Sequence, residues 1–167
     1  MRHNVNNNSR AGFTILELIL YIIIFGIIAT LGTAVFNFAI KSKIYISELT
    51  EVQVNTTQAV SRMVGAVHGS TGINGASSTL SLAMSSSTLN PTVFSLSTGT
   101  IMMKQGSGAA QAITPSSIIV SALTFTSITN PSPSTSSVQI TVAAGYNNNG
   151  TIDAKSIYTI QTTAVPL

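Results

Sequence analysis

The stretch from Phe13 to Ile40, FTILELILYIIIFGIIATLGTAVFNFAI, decides how the rest of the chain must be read. Between Leu18 and Ile40 it carries no charge, and at ~1.5 Å per residue it spans about 35 Å as an α-helix. A bilayer's hydrocarbon core is about 30 Å thick, so the stretch is long enough to cross with modest tilt. Asn37 is its only carboxamide and lies near its end. The block is apolar all round, so its side chains need an apolar environment in every direction.

Upstream, residues 1–12 read MRHNVNNNSRAG, a short Asn-rich segment made basic by Arg2 and Arg10. Such a leader predicts a cytoplasmic N-terminus by the positive-inside rule, with everything after Ile40 outside the cytoplasm. A secretory signal peptide is the competing reading. Its apolar region usually runs about 7–15 residues and ends in a small-residue cleavage site, whereas this block is far longer. Ala29–Ala39 does contain small residues, and a plain signal anchor is a further alternative.

Glu17 interrupts the apolar block near its start. An acidic side chain costs about 2.5–3.5 kcal/mol at the bilayer centre and less near an edge, where this one falls. Two readings follow. Glu17 snorkels to the interface, or it takes a cationic partner supplied by processing or assembly. The glutamate alone does not choose between them.

Its surroundings do. The run Gly12-Phe13-Thr14-Ile15-Leu16-Glu17-Leu18 resembles the prepilin peptidase site of type IV pilins and type II secretion pseudopilins. In that family a short basic leader ends in Gly, cleavage exposes a Phe that is N-methylated, and a glutamate follows at the head of a long apolar helix. The resemblance implies cleavage between Gly12 and Phe13, methylation of Phe13, and a role for Glu17 in assembly. There the new Phe13 amine pairs with the glutamate of a neighbouring subunit, compensating two charges that are costly alone. Gly12 lets the peptidase approach the backbone closely. The implied partners are prepilin peptidase, other pilin or pseudopilin subunits, an inner-membrane assembly platform, and membrane lipid before assembly. Gly26 and Gly32 suit close helix packing, and Gly26 matches a glycine where pilin helices loosen in filaments. Ala34 stands where many pilins carry a proline.

Beyond Ile40 the helical period persists with a polar face. Tyr45, Leu49, Val52, Thr56, Ala59, Val60, Met63 and Val67 recur at three- and four-residue steps, while Lys43, Glu48, Glu51, Gln58 and Arg62 fall largely elsewhere. The pattern predicts one helix from Phe13 to Val67, ending near Gly69, with a sheet on the apolar face of its second half. Gly69–Ser78 reads as a Gly/Ser-rich connection. Strands are predicted at Thr79–Met84, Thr92–Ser97, Thr100–Gln105, Ser117–Ile128, Ser137–Ala143 and Ser156–Thr163. Ile119, Leu123 and Phe125 mark one alternating face, with Ser121 as the gap, and Val138, Ile140 and Val142 another. Thr98-Gly99 is a hairpin turn, and the two prolines in Asn130–Ser134 predict a loop. The expected fold class is therefore α+β. A long N-terminal helix packs against a C-terminal antiparallel sheet, in segments 1–12, 13–40, 41–68 and 69–167, which is the pilin architecture.

Composition adds exclusions. Among 167 residues only 7% are charged, and the formal net charge is +3 with a pI near 9.5. After Gly12 the cations Lys41, Lys43, Arg62, Lys104 and Lys155 nearly balance Glu17, Glu48, Glu51 and Asp153, so no nucleic-acid footprint is expected. Without cysteine there is no disulfide, thiolate or Cys-based zinc site. His3 and His68 are the only histidines, and no triad, metal cluster or phosphate loop can be assembled, so neither catalysis nor a cofactor is expected. His68 reads as a residue at the helix C-terminus. Gly145–Asp153 echoes part of a calcium loop, but Asp153 alone is too little charge for a tight oxygen cage, and Asn-Gly favours a turn.

The function expected from the sequence is a structural subunit, minor rather than major, of a type IV pilus-like filament. It would be a single-pass inner-membrane protein before assembly and periplasmic or extracellular afterwards. A type II secretion pseudopilin is the first alternative, and a signal-anchored surface-binding or DNA-receptor protein that never polymerises is the second.

Overall fold

The computed structural model of the chain describes residues 13–131, 134–148, 151–152 and 156–167. A single helix, α1 (Ile15–His68, 54 residues), precedes the strands. These are β1 (Ser70–Ala76), β2 (Thr79–Met84), β3 (Thr92–Ser97), β4 (Thr100–Gln105), β5 (Gln111–Ala112), β6 (Ile118–Pro131), β7 (Ser134–Asn148), β8 (Thr151–Ile152) and β9 (Tyr158–Ala164). The chain divides into two compact units, Met1–Lys43 and Ile44–Leu167, and the division falls inside α1.

In the first unit the described part of the helix is exposed along almost all of its length. Its large apolar side chains are exposed, from Phe13 at 71% to Ile40 at 43%. The helix runs unbroken through Gly26, Gly32 and Ala34. Thr30 Oγ1 donates to the Gly26 and Ile27 carbonyls at 3.0 and 2.8 Å, and Thr33 Oγ1 to the Ala29 carbonyl at 2.9 Å. These hydroxyls fold back onto the backbone and so leave no bare donor on an apolar surface.

In the second unit the helix becomes one-faced. Val52, Thr56, Ala59, Val60, Met63 and Val67 are buried at three- and four-residue spacing, as the pattern predicts. They join Leu80, Leu82, Phe94, Ile101, Val138, Ile140, Val142 and Ala144 in one core. Full burial begins at Val52; Leu49 is half-buried and Tyr45 exposed. At the C-terminal end the last carbonyls find donors. Gly69 N reaches the Gly65 carbonyl at 3.0 Å, Ser70 Oγ the Val67 carbonyl at 2.7 Å, and Leu167 N the His68 carbonyl at 3.4 Å. Three of the four carbonyls that a helix end leaves without an intrahelical partner are thereby met.

The β-part is split between two antiparallel sheets. The first is a meander in the order β1-β2-β3-β4-β5, and in the second β7 is central, flanked by β6 and β9 and extended by β8. The expected strands Thr79–Met84, Thr92–Ser97 and Thr100–Gln105 are found with those bounds. Thr98 and Gly99 form the two-residue turn between β3 and β4, closed by the Ser97–Thr100 pair. Both have positive φ, 47° and 77°, the geometry that matches strand twist in a tight hairpin.

Four expectations need correction. Gly69–Ser78 is not a plain connection, because Ser70–Ala76 pairs with β2. The register shifts twice, between Ser70 and Gly72 and between Ile73 and Gly75, which is why no alternation betrays it. Asn130–Ser134 is not wholly loop either, since Pro131 pairs with Ser134 at the end of β6–β7. A proline is tolerated there because β6 is an edge strand and Pro131 its last residue. Ser132 and Pro133 lie outside the described residues. Ile119 does not share the core face with Leu123 and Phe125. Ile118 and Val120 point inward instead, and a bulge between Val120 and Ala122 resets the phase. Finally, Gly145–Asn148 continues β7, whose end pairs with β8, so part of the expected polar turn is strand. Asn149, Gly150 and Asp153 lie outside the described residues.

Candidate functional site

The head of α1 is built by local chemistry. Thr14 precedes the first helical residue and acts as its N-cap, with Oγ1 accepting from Glu17 N at 3.3 Å. Its carbonyl also accepts from Glu17 N at 3.1 Å and Leu18 N at 3.2 Å. Thr14-x-x-Glu17 is a capping-box pattern, and an acidic residue in the first turn complements the positive helix end. The glutamate thus has a local reason to occur here, besides any role toward another chain.

Its carboxylate turns forward along the helix. Tyr21 OH donates to Glu17 Oε1 at 3.1 Å, four residues on and therefore on the same face. The Tyr21 ring also meets the Phe13 ring, with centroids 5.8 Å apart and planes tilted by 50°, a favoured arrangement for aromatic pairs. Phe13, Glu17 and Tyr21 therefore form one contiguous group on the first turns of α1. Glu17 is half-buried within it, although Leu16, Leu18, Leu20 and Ile24 around it are exposed.

Of the residues singled out by sequence, Phe13 and Glu17 are brought together through Tyr21, and Gly12 lies outside the described residues. His68 ends α1 and is exposed, in the other compact unit. Among the described residues no group of three His, Cys, Asp or Glu could hold a metal ion. Around the calcium-like segment, Asn147 Nδ2 donates to the Ser116 carbonyl at 2.7 Å, and Ser156 Oγ accepts from Tyr146 N at 2.8 Å. Those groups brace β7 against its neighbours. Sequence reading missed Thr14 and Tyr21. The capping-box spacing could have revealed the first and the i, i+4 step from Glu17 the second.

The arrangement presents a carboxylate with one oxygen engaged, at the head of a helix long and apolar enough to cross a membrane. Such a group can accept a cation, and the exposed apolar surface behind it can be covered by lipid or by other helices. No curated protein and no solved structure matches the chain. The family described as the prokaryotic N-terminal methylation motif matches at residues 7–33. That span takes in the end of the basic leader, Gly12, Phe13, Glu17 and most of the apolar block, so the chain carries the prepilin motif of type IV pilins and pseudopilins.

Proposed function

We propose that the chain is a minor structural subunit of a type IV pilus-like filament, cut between Gly12 and Phe13 and assembled through α1. The observation that carries this reading is the methylation motif spanning the head of a helix whose large apolar side chains are exposed among the described residues. Lipid covers that surface before assembly and neighbouring subunits afterwards. The Phe13 amine released by cleavage pairs with Glu17 of another copy, because either charge alone in an apolar setting is costly. Prepilin peptidase and an inner-membrane assembly platform are the implied partners, with the leader in the cytoplasm and residues after Ile40 outside it.

A secretion pseudopilin uses the same motif, so that alternative rests on the same observation. Surface filaments on the producing cell favour the first reading, and dependence of an outer-membrane secretion apparatus on this chain favours the second.

Intact mass and N-terminal sequencing of membrane-extracted protein, with and without prepilin peptidase, test the processing step. A chain beginning at methylated Phe13 only when the peptidase is present is the expected result. Retention of Met1–Gly12 beside an active peptidase, or a cut beyond Ala29, rules the reading out.

A further inference from the structure

We infer that Tyr21 is a positioning residue for assembly, holding one oxygen of the Glu17 carboxylate and leaving the other for the amine of a neighbouring copy's Phe13. The inference rests on the proposed assembly role of Glu17 and adds a residue that the methylation motif does not assign.

Three observations carry it. The Tyr21 hydroxyl donates to Oε1, and no hydrogen bond occupies Oε2 among the described residues. The carboxylate therefore turns toward Tyr21 and does not close the second half of the capping box at the Thr14 amide. The same tyrosine packs its ring on Phe13, the residue whose amine is to be paired.

The chemistry favours a neutral donor here. A carboxylate in this apolar stretch of helix needs compensation before any partner arrives, and a hydroxyl supplies one charge-assisted hydrogen bond. Unlike a lysine at the same place, it leaves the net negative charge intact. A lysine would form an ion pair within the chain and compete with the incoming amine. Tyr21 thus lowers the cost of the lone carboxylate without removing the reason to assemble. It also fixes the carboxylate rotamer, so less side-chain freedom is lost when two subunits meet.

The test uses the full-length chain in cells with an active peptidase, comparing Y21F, E17Q and the double variant. Y21F keeps the ring and removes the hydroxyl. It should be inserted and cut normally while the assembled fraction falls about three- to tenfold, the scale of one ordinary, partly solvated hydrogen bond. The double variant should assemble no worse than E17Q alone, because Tyr21 acts through that carboxylate. In micelles, the Glu17 carboxyl 13C resonance, identified by its disappearance in E17Q, should move in Y21F. An unmoved resonance, or Y21F assembling at the wild-type level, overturns the inference while E17Q still assembles at a measurably reduced level. A further loss in the double variant, by the same factor as in Y21F alone, overturns it in favour of simple packing. E17Q assembling at the wild-type level overturns the assembly role of Glu17 itself, and this inference with it.

Discussion

Thr56 lies on the buried face of α1, 1% exposed, and its Oγ1 has no hydrogen-bond partner among the described residues. A hydroxyl buried in this way loses its water contacts without replacement, a penalty of about 1–3 kcal/mol on the mutational scale. Thr56→Val keeps the branched shape and removes the oxygen, so it should stabilise the protein by about 1 kcal/mol. Urea unfolding followed by circular dichroism checks this, and a destabilised variant would show that the hydroxyl is satisfied after all. The β3–β4 turn offers the complementary case. Thr98 is held at φ 47°, a region that disfavours β-branched residues. Asn tolerates that conformation, so Thr98→Asn should add about 0.5–1 kcal/mol. Gly99→Ala should subtract about 1–2 kcal/mol, because left-handed backbone disfavours a Cβ. The new Cβ would also lie 2.9 Å from Ile119 Cγ2. If the two turn variants shift the unfolding midpoint in the same direction, the turn geometry is wrong.

At the scale of elements, legibility followed local periodicity. The helix was readable because its period persists while its character changes, and β2, β3 and β4 because turn residues bound short alternating runs. β1, STGINGA, was not readable: two glycines and two register shifts leave its pairing to the backbone of β2. β5 and β8 have two residues each, too few for any period to appear. In β6 the alternation is present but changes phase at Ser121, and a strict two-residue period put Ile119 on the wrong face. The site divides the same way. Phe13 and Glu17 stand out by spacing and charge, whereas Tyr21 passes for one more apolar residue in an apolar run. The bulge itself makes a prediction. Ser121 and Ala122 together face Ala143, so deleting Ser121 restores a regular ladder with Ile118, Val120, Leu123 and Phe125 still inward. Deleting Thr124 instead makes Leu123 and Phe125 adjacent, so that Phe125 and the other three can no longer face the core together. The first deletion should leave a folded protein that loses about 1–2 kcal/mol, partly through the Ser121 Oγ bond to the Ala143 carbonyl. The second should prevent cooperative unfolding altogether. Equal damage from both would mean that the bend at the bulge, and not the phase, is what β6 requires.

For the molecule as a whole, burial and apolar exposure are separated along the sequence. Every buried hydrophobic residue among those described lies between Val52 and Ala164, and the long run of exposed large apolar side chains lies between Phe13 and Ile46. Stability and membrane attachment are thus assigned to different residues, and the compact unit Ile44–Leu167 contains the whole core. Without cysteine, that unit has no disulfide to hold it. A fragment of residues 44–167 should therefore be soluble and unfold cooperatively in urea. Its free energy should lie within about 1 kcal/mol of the full chain in micelles, the scale expected when the removed residues make no core contact. Fraying of the exposed turn at Ile44–Ser47 accounts for any small deficit. A fragment that aggregates or melts without cooperativity would show that α1 needs its apolar half to nucleate. The sheets would then depend on membrane insertion for folding as well as for location. If the fragment folds, the core is independent of α1's first half, whose apolar surface is then left for contacts with lipid and with other subunits.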